Sequence, residues 1–142
     1  MLAAAQVIAH QVDCLLGLPL TADRVFNSRA WPISEQDLPA WNVLAGPEDV
    51  EMASVDDDVL NQHQLTVYLR GYVKSVDNLD DELHALTAQG LAAVFQAPLL
   101  YHLTLQGIDR DLVQEGGTDC GVVVITVRAT YHVRASEPET LL

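Results

Sequence analysis

Apolar and polar positions along the chain change period several times, and each change marks an element. Over residues 2–16, Leu2, Val7, Ile8, Val12, Leu15 and Leu16 recur at mostly helical spacings, while Gln6, His10, Gln11 and Asp13 take the opposite side. That period predicts an amphipathic helix, stopped by Gly17 and Pro19. Residues 19–39 have no regular period: Phe26 and Trp31 stand among Asn27, Ser28, Arg29 and Pro32, and a short extended piece is expected over 24–27. The apolar run Trp41-Asn42-Val43-Leu44-Ala45, closed by Gly46-Pro47, predicts a short strand. Pro39 just ahead of it suits a strand start, where one missing amide is tolerated.

Strict alternation begins near residue 60. Leu65, Val67, Leu69, Gly71 and Val73 point one way, and Gln62, Gln64, Thr66, Tyr68, Arg70, Tyr72 and Lys74 the other, which predicts a long half-buried strand. A second helix follows: Asp77 or Asn78 can cap it, Asp80, Asp81 and Glu82 suit the positive end of its dipole, and Leu79, Leu83, Leu86, Leu91, Val94 and Phe95 form its stripe. Pro98 ends it. Tyr101, Leu103 and Leu105 then alternate with His102, Thr104 and Gln106 and lead into residues 108–113, a strand expected to bend at Gly107. Residues 115–119 supply a hairpin turn. In the last strand, over 121–134, Val123, Ile125, Val127, Ala129, Tyr131 and Val133 oppose Val122, Val124, Thr126, Arg128, Thr130, His132 and Arg134. The polar residues 135–142 are expected to form a flexible tail.

Two helices with one apolar face each, and a sheet with one apolar face, satisfy each other in a two-layer α+β sandwich. The expectation is a single domain over 1–142, with a mixed, mostly antiparallel sheet of four to five strands packed against two helices.

Charge narrows the partners. Twenty acidic residues against seven basic ones give a formal charge of −13, which repels a phosphate backbone, so no sequence-specific binding of nucleic acid is expected. No apolar run approaches the ~18 residues of a membrane span and no signal segment opens the chain, so a soluble protein is expected, with no membrane partner. Cys14 and Cys120 lie far apart, with no CxxC pairing and no histidine read at ligand spacing, and are expected to be reduced thiols.

Candidate chemistry is sparse. Asp56-Asp57-Asp58 lacks the alternating spacing of a calcium loop, and consecutive aspartates in an extended chain point in opposite directions. Asp109 and Asp111 share one side of a strand, where an arginine or solvent is their expected partner. The five histidines show no HExxH or close pair, no serine sits in a GxSxG setting, and Gly116-Gly117 has no P-loop lysine. Neither a catalytic residue, a metal nor a cofactor is expected.

One distribution stands apart. Four of the seven cations, Arg70, Lys74, Arg128 and Arg134, fall on the polar faces of the two long strands, with Tyr68, Tyr72, Thr126, Thr130 and His132. If those strands share a sheet, its outer face is a mildly basic, tyrosine-bearing strip on an acidic protein. The plain reading is an exposed face dotted with charges. The sharper one is a self-association surface, where an acidic edge of one copy meets the basic strip of the next.

The run Val25-Phe26-Asn27-Ser28-Arg29-Ala30-Trp31-Pro32, the element Leu38-Pro39-Ala40 before the first core strand, the acidic connector and the turn Gly107-Ile108-Asp109-Arg110-Asp111 together resemble the tail terminator proteins of long-tailed phages, the minor tail protein U family of lambda-like phages. The resemblance covers nearly the whole chain and lies in element order, length and acidity. It implies a small α+β domain that assembles as a hexameric ring on the head-proximal end of the tail tube, stops polymerisation and offers a surface to the head connector. It implies no catalysis, and places the protein in the bacterial cytoplasm during assembly and then in the virion tail. On this view Arg70, Lys74, Arg128 and Arg134, with Tyr68 and Tyr72, are the expected contact residues, and Asp56, Asp57 and Asp58 form a loop that orders on assembly.

A neck or head-completion protein is the alternative of the same class. From other classes, a metal-dependent enzyme using Asp56 to Asp58 with Asp109 and Asp111, or a small ligand-binding domain, would also be compatible with the chain.

Overall fold

The computed structural model describes residues 1–28, 38–55, 58–74, 78–96, 100–115 and 118–142. The elements run α1 (Ala3–Leu15), β1 (Val25–Asn27), β2 (Ala40–Val55), β3 (Val59–Lys74), α2 (Leu79–Gln96), β4 (His102–Glu115) and β5 (Thr118–Arg134). The two longest alternating segments build the centre: β3 and β5 pair antiparallel without a register shift, from Leu60 opposite Arg134 to Lys74 opposite Cys120. Around them the order is β1-β2-β3-β5-β4, an open five-stranded sheet in which, among the described residues, only β1 and β2 are parallel. This is the α+β sandwich with a mixed sheet expected from the pattern.

Both helices lie on one face. The alternation places Leu65, Val67, Leu69 and Val73 of β3 and Val123, Ile125, Val127, Ala129, Tyr131 and Val133 of β5 beneath them, all buried in one core with Val7, Ile8 and Leu15 of α1 and Leu83, Leu86 and Val94 of α2. Trp41 of β2 is completely buried at the centre. Its indole fills a slot between Gly71 of β3 and Gly90 of α2; a Cβ at either glycine would meet it at 3.0 Å or less.

β2 departs from the expected short strand. It runs through Gly46 and Pro47 to Val55, with register shifts between Ala45 and Glu48 and between Met52 and Ser54. The reason is its position. β1 pairs only with Trp41, Asn42 and Val43, so the rest of β2 is a sheet edge on that side among the described residues, where a proline without an N–H costs no ladder bond. Gly46 serves a second need, since a Cβ there would stand 2.7 Å from the ring of Tyr68.

β4 carries the expected irregularity, a register shift between Leu105 and Gly107. α1 ends at Leu15, and Gly17 follows with a φ of 83°. The last eight residues, read from sequence as a loose tail, fold back on α1. Ala3 N–H donates to the Pro138 carbonyl at 3.1 Å, Gln6 Nε2 donates to the Glu139 carbonyl at 2.5 Å, and the N-terminal ammonium stands 3.1 Å from the Glu139 carboxylate. The tail carbonyls thereby satisfy donors of a helix that has no side-chain cap.

Candidate functional site

The face of the sheet turned away from the helices carries the residues singled out by charge. The shared register of β3 and β5 makes them one strip. Lys74 is exposed opposite Cys120, Arg70 is exposed between Asn42 and Val124, Arg128 is half-buried opposite Thr66 and Thr104, and Arg134 is exposed opposite Leu60. Along the strands these positions fall roughly 13 to 20 Å apart at about 3.3 Å per residue, so they form a row and not a cluster. Acidic residues flank the row: Asp49 and Glu51 on the β2 edge, Asp109 and Asp111 on the β4 edge, all exposed. Tyr68 lies half-buried between Leu44 and Thr126, its ring over Gly46.

Tyr72 does not belong to an open strip. It is 4% exposed and packs with Ala40, Phe26, Leu38 and Val122 in a second, small cluster on the outer face. Its strand position was read correctly and its surroundings were not, because residues without a periodic signal, Phe26 and Leu38, cover that end of the sheet. Of the aspartate triplet, Asp56 and Asp57 lie outside the described residues; Asp58 accepts a hydrogen bond from Ser136 Oγ. No group of three or more His, Cys, Asp or Glu side chains is placed to hold a metal ion among the described residues.

Two polar clusters escaped the sequence reading. In the first, Glu48 Oε1 accepts from the Tyr131 hydroxyl at 2.5 Å and stands 2.7 Å from His63 Nδ1, while the His63 and Tyr131 rings stack with centroids 5.2 Å apart. The three come from β2, β5 and β3, and tie the distal part of the edge strand to the sheet centre. They line a groove of about 260 Å³ with Leu2, Asn61 and Pro138. Burial, reinforced by the Glu48 carboxylate, pushes the Tyr131 phenol well above its ordinary range. No local spacing announces this cluster, since its members are 15 and 83 residues apart in sequence.

The second cluster joins α1 to the start of β4. His10 Nδ1 lies 2.6 Å from the Tyr101 hydroxyl, and Gln11 Nε2 donates to the same hydroxyl. Burial raises the Tyr101 phenol well above its ordinary value, opposed by the Gln11 hydrogen bond. Gln11, assigned to the polar side of α1, is fully buried. A signal existed: Gln11 sits midway between Val7 and Leu15 on the apolar stripe, where a buried amide demands a partner. Against the expectation of no histidine at ligand spacing, Cys14 Sγ is 3.8 Å from His10 Nδ1, one turn earlier. Burial and the neighbouring Asp13 raise its thiol above the usual value, which favours an unreactive cysteine.

No family model matches the chain, and no curated protein matches it. No helix among the described residues is long and apolar enough to cross a membrane.

Proposed function

We propose that this is a structural protein of a phage or prophage, a tail terminator that caps the head-proximal end of the tail tube as a hexameric ring, stops its polymerisation and presents the surface to which the head connector joins. It works by assembly, with the tail tube protein, the connector and further copies of itself as partners. The observation that carries the reading is the helix-free sheet face, where the cations of β3 and β5 form a central row between carboxylates on both edge strands. The basic row on the face of one copy can receive the acidic edge of the next, and a contact between two different surfaces of a copy is the head-to-tail kind that closes into a ring. The charge of −13 keeps dilute copies apart, and a tube template supplies the binding energy that overcomes it.

The experiment is to mix the purified protein with tail tubes and image them by electron microscopy. Rings of about six copies on one end of each tube, with tube growth arrested, are expected. A protein that leaves tube ends bare and growing refutes the reading, and binding to filled heads in place of tubes moves it to a head-completion role.

A further inference from the structure

Arg128 stands at the middle of the outer face in unusual company. The register sets it between Thr66 of β3 and Thr104 of β4, and Thr126 and Thr130 are its neighbours on the same face of β5. Its Nε is buried and has no hydrogen-bond partner among the described residues. A buried donor without an acceptor is costly, and because the Arg128 side chain is only half-buried an acceptor from outside can still approach it on this face. The chemistry that fits is a carboxylate: its two oxygens match the guanidinium fork, and threonine hydroxyls can donate to the lone pairs that remain.

The same molecule carries a segment suited to supply it. Past Val43 the β2 edge has no neighbour on its outer side among the described residues, and there Asp49 and Glu51 alternate with Val50 and Met52, which are 52% and 62% exposed. An unpaired edge with exposed apolar side chains is a surface that binds another chain. Its carboxylates project on the outer face and its apolar residues on the other, so the carboxylates are what this edge can present to Arg128.

Resting on the self-assembly reading above, we infer that the β2 edge of a second copy docks on this face, with the Asp49 or Glu51 carboxylate held by Arg128 among Thr66, Thr104, Thr126 and Thr130. The contact is heterologous, because edge and face are different surfaces of one copy, and it leaves each copy with an edge and a face to offer. A nucleic-acid phosphate has the same taste for arginine and threonine, but meets a chain of charge −13.

Sedimentation equilibrium of the full chain up to millimolar concentration tests this directly, with circular dichroism confirming that each variant folds. Arg128→Gln and the pair Asp49→Asn with Glu51→Gln are each expected to weaken self-association at least tenfold. The decisive arm mixes two variants. Arg128→Glu protein and Asp49→Lys/Glu51→Lys protein should each associate poorly alone and associate with one another. The inference is overturned if Arg128→Gln associates like wild type, if the mixture gains nothing, if the wild type stays monomeric throughout, or if Arg128 governs only the binding of a short single-stranded oligonucleotide. Arg128-dependent association in a protein that leaves tubes uncapped upholds this contact and removes the terminator role; capping unaffected by Arg128→Gln does the reverse.

Discussion

Gly90 of α2 lies so close to the indole of Trp41 that a Cβ at this position would come within 2.5 Å of the ring. Trp41 cannot yield, since it is fully buried and has Gly71 against its other side. Gly90→Ala gains ~1 kcal/mol of helix propensity. It then loses more, because overpacking costs roughly 1–3 kcal/mol and the clash here is with a rigid ring. The expected net result is a lower urea midpoint. Gly107→Ala is the control, because nothing lies within 4 Å of a Cβ at Gly107. Equal midpoints for the two variants would show that the slot is looser than its geometry implies.

The Glu48 carboxylate joins three strands, and its removal should be felt at the edge. Glu48→Ala leaves the Tyr131 hydroxyl without its acceptor, at a cost of about 1–3 kcal/mol. Adding Tyr131→Phe to it should cost less than the sum of the two single changes. Hydrogen exchange should speed up over residues 48–55 before it does in β3. Unchanged exchange there would mean that the backbone ladder alone holds the edge.

Stability should fall in base. The Tyr101 and Tyr131 phenols both have folded values above the ordinary 10.0, so their full contribution is present below pH 10 and is lost as pH rises from there through the folded values. The slope is at most about 1.4 kcal/mol per pH unit for each tyrosine. Urea unfolding from pH 9 to 11 measures it, and Tyr101→Phe or Tyr131→Phe should flatten the fall. A slope that ignores both substitutions would assign the alkaline loss elsewhere.

The tail is expected to act as a cap for α1. Deleting residues 137–142 removes the Pro138 and Glu139 carbonyls that receive Ala3 N–H and Gln6 Nε2. A loss of roughly 0.5–2 kcal/mol is expected, the range for a helix cap, with faster exchange confined to the first turn of α1. Full stability after the deletion would make the tail a passenger.

Most of the fold was legible because alternation and helical period are local and report burial directly. Val123 to Val133 read as a buried face and are one; Leu83, Leu86 and Val94 read as a helix stripe and pack on it. The bend at Gly107 was legible for the same reason. β2 beyond Ala45 was not, since Gly46-Pro47 is a stop in a central strand and is tolerated on an edge, and edge status depends on which strands pair. Tyr72 was assigned to the right face and the wrong environment, because the cover over it comes from residues with no period.

By itself the sequence determined the two layers, the face each long strand buries, and the presence of four cations on polar strand faces in an acidic chain. Only tertiary structure decided that those cations form one row, that Arg128 lies among four threonines, and that Glu48, His63 and Tyr131 meet. The physical reason is that strand period dictates which way a side chain points, whereas its neighbours are set by the register between strands, and register is a property of the assembled sheet.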